Sequence, residues 1–186
     1  MQMKMKRKPT AQEKFWAGDF GKEYSRRNTG ARILAGNTVL FSRILSRTNG
    51  VRSVIEFGAN IGLNLAAIRS VLPGAELSAV EINPFAAEAL KKNLPQVRVY
   101  RKSLLDFKCD KKRDLALIKG VLIHQAPDLL PRAYEVLYRS SDRYICVAEY
   151  YSPVPVQVEY RGHSDRLFKR DFAGEMMARY KDLRLV

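Results

Sequence analysis

The sequence predicts an α/β fold built on a mostly parallel sheet with helices on both faces. Three observations carry that prediction. From residue 52 onward, short apolar segments alternate with segments of helical period, the rhythm of parallel strands joined by crossover helices. The stretch Val54-Ile-Glu-Phe-Gly-Ala-Asn-Ile-Gly62 reads as a buried strand running into a glycine-bearing turn. A second strand, Ala79-Val-Glu-Ile-Asn83, carries an acid, Glu81, nineteen residues after Gly62. That is close to the ~20-residue interval that sets a carboxylate on a ribose in a βαβ unit.

The elements follow in order. Residues 11–28 carry Phe15, Trp16, Phe20 and Tyr24, the last three at intervals of four, a helical face interrupted by Gly18 and Gly21. Residues 30–48 form a second helical pattern through Ile33, Leu34, Leu40, Ile44 and Leu45, closed by Asn49-Gly50. Strands are expected at 52–57, 76–81, 97–101, 114–119 and 143–149. Helices are expected at 61–72, through Ile61, Leu65, Ile68 and Leu72, and at 84–93 and 127–139. Pro84 and Pro127 open the last two from the first turn, where the missing N–H costs nothing. Pro153-Val-Pro155 ends regular structure after the fifth strand. The run Tyr160–Asp171 is charged and mixed, with no element assigned to it. A short helix through Met176, Met177 and Tyr180 follows, and Leu183–Val186 reads as the start of a sixth strand.

The 186 residues are 46% hydrophobic, which gives a folded body with a substantial core. The expected organisation is a basic, disordered leader over 1–10 and a single domain over 11–186. Within that domain, 11–49 holds the N-terminal helices, 50–150 the cofactor-binding core and 151–186 an acceptor-side segment. No apolar run approaches the ~20 residues needed to span a bilayer. The basic N-terminus has no apolar stretch behind it, so it is not a secretory signal. Cys109 and Cys146 lack C-x-x-C spacing, which argues against a zinc site or a disulfide framework and fits a reducing cytoplasm. No metal site is expected. The net charge of +14 favours acidic partners: nucleic acid, anionic lipid or an anionic small substrate.

The turn narrows the cofactor. A dinucleotide fingerprint needs a middle glycine to admit the pyrophosphate. Here Asn60 stands in its place, and Leu63 occupies the last glycine position. A G-x-x-x-x-G-K-[ST] loop is absent. Glu56, just before Gly58, suits a positively charged ligand group better than a pyrophosphate. S-adenosylmethionine carries two such groups, a sulfonium and an ammonium. Glu56-Phe-Gly-Ala-Asn-Ile-Gly62 resembles the acid-x-G-x-G-x-G loop of class I S-adenosylmethionine-dependent methyltransferases, with Asn60 tolerating the positive φ that the replaced glycine would take. The resemblance implies a Rossmann-like class I methyltransferase fold, in which Glu56, Gly58, Asn60 and Gly62 serve the methionine part of the cofactor. It implies that Glu81 takes the ribose hydroxyls, that Ile82 and Phe85 flank the adenine, and that Ser103 and Leu104 sit beside the adenine ring. A carboxylate is common at the Ser103 position in that superfamily, so this chain departs from the pattern there.

The chemistry is expected after the fourth strand, at Leu117-Ile-Lys-Gly-Val-Leu-Ile-His124-Gln125. The N/D-P-P-Y/F motif of amino-methylating nucleic-acid enzymes is missing, and neither cysteine has the context of a cytosine-C5 nucleophile. His124 reads as a general base, or equally as a packed cap histidine. His163 is the second catalytic candidate. Around it Arg161, Arg166, Lys169 and Arg170 suit a carboxylate or phosphate, against the plainer reading of a solvated charged connection paired with Asp165 and Asp171. Tyr24 and Tyr150 are further acceptor candidates, Tyr24 together with Arg26 and Arg27. Trp16 is read as packing, with a lid over the cofactor mouth as the alternative for its face.

Three more stretches narrow the resemblance. They are Phe15-Trp-Ala-Gly-Asp-Phe-Gly-Lys-Glu-Tyr24, Gly120-Val-Leu-Ile-His124 and the run from Tyr160 to Glu175. With the turn they are similar to the pseudaminic-acid-biosynthesis-associated methylases of bacteria, over most of the chain. That likeness implies an acceptor of the nonulosonic-acid class, free or nucleotide-activated. The fold of class I methyltransferases usually ends in an antiparallel hairpin. The chain stops at Val186, so that hairpin is expected to be incomplete and its sheet edge exposed, as a truncation would leave it. The other readings are an RNA methyltransferase without the N-P-P-Y motif, and a catalytically inactive binding module. The sequence fixes no oligomeric state.

Overall fold

The computed structural model describes residues 7–186. Five strands form one parallel sheet: β1 (Ser53–Phe57), β2 (Glu76–Glu81), β3 (Arg98–Arg101), β4 (Arg113–Lys119) and β5 (Ser141–Ala148). Their order is β3-β2-β1-β4-β5, so the chain winds outward on one side of β1 and then returns to the other. At that reversal the connections leaving β1 and β4 run apart, which opens a crevice beyond the carboxyl ends of the strands. Phe57 stands in register with Val80 on one side and Ile118 on the other. The central strands are buried on both faces, which is why they read as continuous apolar runs rather than as an alternation.

Helices α1 (Ala11–Ala17), α2 (Asp19–Arg27) and α3 (Ala31–Leu45) precede the sheet. The expected single face over 11–28 is two helices broken at Gly18, which closes α1 and opens α2. Gly21 is instead inside α2, where a Cβ would lie 1.9 Å from the Trp16 carbonyl oxygen. The helix read over 30–48 stops at Leu45; Asn49-Gly50 lies beyond its end, and Ser46 caps it. Crossovers α4 (Leu63–Val71), α5 (Pro84–Asn93) and α6 (Leu130–Ser140) flank the sheet. Asn83 caps α5 by accepting from the Phe85 and Ala86 N–H groups, with Pro84 in the first turn as expected. The predicted helix from 127 begins as a single 3-10 turn, Pro127–Leu129, before α6.

The apolar core divides between the two faces of the sheet. On one face Val54, Leu115 and Leu117 meet Phe41 of α3, Leu65 and Ile68 of α4 and Leu90 of α5. On the other Ile55, Phe57 and Ile118 meet Leu130 and Leu137 of α6. Successive strand residues thus feed opposite layers.

The C-terminal part corrects the sequence reading. An antiparallel hairpin is present, but it is formed by β6 (Val156–Tyr160) and β7 (His163–Lys169), a sheet of its own. Its tight turn is Arg161-Gly162, both at positive φ (51° and 78°), the backbone that a two-residue hairpin loop requires. Helix α7 (Phe172–Arg179) follows, opened by Asp171, whose carboxylate accepts from the Gly174 N–H at 2.8 Å. Residues 183–186 form no strand. Leu167 of β7, Phe172 and Met176 bury themselves against the α6 layer, and Phe168 is buried as well, so the hairpin packs on the body by the end of β7. The expected leader also changes at its end. The Arg7 guanidinium donates to Glu13 Oε2 at 2.8 Å and to Asp106 Oδ1 at 3.3 Å, which ties the segment before α1 to the turn after β3. Lys4 and Lys6 lie outside the described residues.

Candidate functional site

Glu81 ends β2 with its carboxylate turned across the glycine turn. One oxygen accepts from the Asn60 N–H and the other from the Asn83 N–H, both at 2.7 Å. It therefore pins the turn after β1 to the start of α5. Asn60 sits at φ 49°, the left-handed region expected of it, and accepts from the Ser25 hydroxyl at 2.6 Å. Gly58 (φ 76°) permits a close approach: a Cβ there would lie 2.4 Å from a Val121 methyl. Gly62 (φ 89°) lets α4 start against Leu90 and Leu94 of α5. Burial pushes the Glu81 carboxyl above its ordinary range, and the backbone N–H groups of Asn83 and Asn60 oppose that shift.

Across the crevice, β4 runs into the 3-10 turn Leu122–His124. Glu149, just past β5, gathers the free N–H groups of that turn: Val121 and Leu122 donate to one oxygen at 2.8 and 2.9 Å. Burial raises its carboxyl to about 7. Sequence reasoning missed Glu149, because its partners are backbone groups of a segment some 26 residues away. The turn presents His124, which is 6% exposed and lies against Trp16 and Tyr160 at ring distances of 4.6 and 4.9 Å. Its Nδ1 is 2.5 Å from the Arg166 carbonyl oxygen. A carbonyl only accepts, so that nitrogen carries the proton and Nε2 keeps its lone pair. Burial lowers the imidazole's affinity for a second proton, against the pull of the Arg166 carbonyl. The ring is thus a neutral acceptor near pH 7.

The N-terminal helices roof the crevice. Trp16, Tyr24 and Ser25 line it, so this face borders the crevice as well as packing as a stripe. The Asn83 amide holds this roof by donating to the Trp16 carbonyl at 2.9 Å and to the Gly18 carbonyl at 3.1 Å. Burial works against ionised Glu13, yet its bonds from Arg7, Ser103 and the Thr10 N–H bring it down to about 2. A carboxylate therefore lies beside Ser103 in the crevice lining.

Glu56 behaves differently from the expectation. It is fully buried beneath the turn and does not line the crevice. One oxygen accepts from the Asn64 amide at 2.6 Å, and the other has no partner among the described residues. Asn64 does line the crevice, so Glu56 reaches it only through that amide. Desolvation lifts the Glu56 carboxyl from 4.5 to about 8, with Asn64 and Lys119 pulling the other way. An acid with a raised folded value binds its proton more tightly when folded, so its contribution falls as pH rises from about 4.5 to about 8. Glu56→Gln is expected to flatten that decline and to add on the order of a few kcal/mol at pH 9 relative to pH 5. Chemical denaturation across that range checks it; an unchanged slope would remove Glu56 as a buried acid.

The crevice brings together Gly58, Asn60, Glu81, Ile82, Ser103, Leu104, Tyr24 and His124. Other predicted residues lie elsewhere. Phe85 is 40% exposed and lies under the Lys22 and Arg26 cations at 5.8 and 5.4 Å, outside the crevice. His163 is exposed at the start of β7, its ring 5.0 Å from Phe15. The Arg166 guanidinium covers Phe15 at 5.2 Å, so this residue serves the site through its carbonyl. Arg170 is paired with Glu175 at 2.7 Å and is not free for a ligand. Tyr150 is 61% exposed, with Lys169 over its ring at 5.7 Å. Burial raises the Tyr24 hydroxyl, and the charges of Arg161 and Arg27 pull it the other way. Among the described residues no metal-ligand cluster occurs, and no helix is long and apolar enough to cross a membrane.

No family model and no curated protein matches the chain. Solved structures do. The sugar N-methyltransferase KedS8 from Streptoalloteichus sp aligns with a TM-score of 0.60 at 18% identity, over 87% of this chain and 66% of that one. DesVI from Streptomyces venezuelae aligns at 0.58 and 14% identity, over 78% and 66%. The plantazolicin methyltransferase BpumL, solved in complex with SAH, aligns at 0.55 and 20% identity, over 76% and 58%. The chain thus spans between half and two thirds of the length of these structures. What these likenesses establish is the architecture: the mostly parallel sheet and its flanking helices have the Rossmann-like fold of the class I methyltransferases.

Proposed function

We propose that this protein is an S-adenosylmethionine-dependent methyltransferase acting on a small anionic acceptor. The observation that carries the reading is the Glu81 carboxylate clasping the Asn60 turn at the strand-order reversal, opposite a neutral His124. The residues fit the cofactor. Glu81 offers a ribose acceptor at the crevice wall, Ile82 and Leu104 offer apolar surface, and the buried Glu56 acid lies under the turn. When bound, the cofactor supplies an electrophilic methyl group on a sulfonium.

The chain's own residues do the rest. Glu81 fixes the turn and takes hydroxyl donors. The lid excludes water above the crevice through Trp16 and Tyr24. Val121 against Gly58 sets the width of the floor. His124 Nε2 is the base that takes a proton from the acceptor hydroxyl or amine, while alignment within the closed crevice supplies much of the acceleration. At the mouth, Arg27 and Arg161 beside Tyr24 suit an acceptor with a carboxylate or phosphate.

An acidic nine-carbon sugar of the nonulosonic type, or its nucleotide-activated form, is the acceptor we favour. That likeness extends from Phe15 to Glu175 and includes both the lid and the hairpin. The sugar N-methyltransferase KedS8 has the same fold, which is compatible with a sugar acceptor. The test is methyl transfer from labelled cofactor to sugar acids, sugar nucleotides and tRNA in parallel. Transfer to the sugar class is expected. Transfer to tRNA alone would replace this acceptor with RNA, and no S-adenosylhomocysteine binding would remove the cofactor as well.

A further inference from the structure

A second groove lies outside the crevice and shares no lining residue with it. Two connections form it. Residues 105–112 return from the carboxyl end of β3 to the start of β4, and α6 returns from the end of β4 to the start of β5. The Arg132 Nε donates to the Leu105 carbonyl at 2.5 Å and joins the two. Lys108, Lys111 and Lys112 come from the first connection, Arg132 and Arg139 from α6, and Arg179 from α7. Against these six cations the lining holds two acids, Asp110 and Glu135, and neither is free. The Arg113 guanidinium, 1% exposed, donates to Asp110 at 2.5 Å, and Glu135 accepts from Arg139 at 2.8 Å. Arg113 also donates to the Lys111 carbonyl and the Tyr100 hydroxyl, so a buried cation fixes the backbone that carries three lysines. Among the described residues no carboxylate lies within ion-pair distance of Lys108, Lys112 or Arg179. Lys111 pairs with Glu76 and Arg139 with Glu135, but both pairs are exposed and exchange readily for another anion. Like charges held together repel, and an anion in the groove removes that cost.

The rest of the lining selects the anion. Leu105 and Phe107 are buried, and among the described residues none of the exposed large apolar side chains lines the groove. It therefore offers no aromatic face to an unpaired base and no apolar anchor to a bilayer. The cations also continue beyond it. The parallel sheet sets all its strand starts on one edge, and there Arg52, Arg98 and Arg143 are exposed. Of the acids on that edge, Glu76 pairs with Lys111 and Asp114 accepts from the Arg52 and Ser53 N–H groups, which leaves Asp142. The positive surface thus runs on past the groove, as a chain of phosphates does. We propose that the groove is a docking surface for the phosphate backbone of a nucleic-acid duplex. A duplex turns its bases inward and presents phosphates, which cations without a stacking ring are suited to bind. The groove stands apart from the crevice, so it docks a partner and does not recognise the acceptor, and it does not depend on the cofactor reading.

Fluorescence anisotropy on the full chain, with short labelled RNA and DNA duplexes, reads Kd against salt. Affinity is expected to fall steeply as salt rises, because each phosphate contact releases counterions. Binding of either duplex supports the groove, and the tighter one names the nucleic acid. Lys108→Gln with Lys112→Gln is expected to weaken binding by about 10-fold and to lower the salt slope by about 2, one contact for each lysine. Adding Arg179→Gln should lower the slope by about 3 in all. Arg32→Gln with Lys92→Gln removes the same charge as the lysine pair from exposed positions on α3 and α5, and should leave both readings near wild type. Thermal melting of each variant shows that it is folded. Equal losses in the groove and control variants would assign binding to net charge alone and overturn the groove. A wild type that binds neither duplex overturns it too, as does one that binds unpaired strands or anionic lipid vesicles more tightly than duplexes.

Discussion

Glu81→Ala is expected to lower S-adenosylhomocysteine affinity by about 100-fold or more, the largest binding loss of any single change in the crevice. Two effects add. The alanine removes the acceptor for the ribose hydroxyls. It also strands the Asn60 and Asn83 N–H groups, each of which now gives a 2.7 Å bond to that carboxylate. An orphaned buried donor costs about 1–3 kcal/mol. Asn60 stands at positive φ and Asn83 holds the lid, so the loss spreads to the turn and the roof alike. Glu81→Gln separates the effects, since its amide oxygen still accepts while its NH2 opposes one of the two donors. Its affinity should fall between alanine and wild type. A folded Glu81→Ala protein that binds as tightly as the wild type would sink the cofactor reading at its root.

That residue was among the most legible in the chain, and the reason is physical. Parallel strands buried on both faces leave continuous apolar runs, so Val54–Phe57 and Leu77–Val80 announce themselves, and an acid interrupting such a run has to be explained. Asn60 was legible because only a few residue types accept left-handed φ. The β6–β7 hairpin was not, because most of its residues stay exposed and only the end of β7 is buried, so no clear alternation marks it. Its clearest signal is the Arg161-Gly162 turn. The charges around it misled the site reading. Arg170 and Arg166 look available in sequence, yet one is paired with Glu175 and the other sits over the Phe15 ring at 5.2 Å. Phe85 has the right position in sequence for an adenine contact, but Lys22 and Arg26 of α2 cover its ring from outside. Glu149 carries no motif at all. Its bonds arise from strand order, which sets the end of β5 beside the end of β4.

His124→Asn is expected to reduce the rate of methyl transfer by about 100-fold or more while leaving S-adenosylhomocysteine affinity unchanged. The geometry gives the reason. The Arg166 carbonyl fixes the proton on Nδ1, so Nε2 meets the acceptor as a lone pair, and burial keeps a second proton off the ring. Burial is the larger influence, so the folded value lies below the ordinary imidazole value of 6.5. The rate should therefore fall only on the acid side, with a midpoint under 6.5, and the asparagine variant should lose that limb. A histidine kept only for packing against Trp16 and Tyr160 predicts something else: lower stability, with the acid limb intact in the variant. Glu149→Gln offers a second check, since it disturbs the Val121–His124 turn without touching the ring. If His124 acts as the base, that variant should transfer methyl more slowly and keep the acid limb. An acceptor nucleophilic enough to need no base would leave His124→Asn close to wild-type rate, and the base assignment would then fall while the rest of the crevice stood.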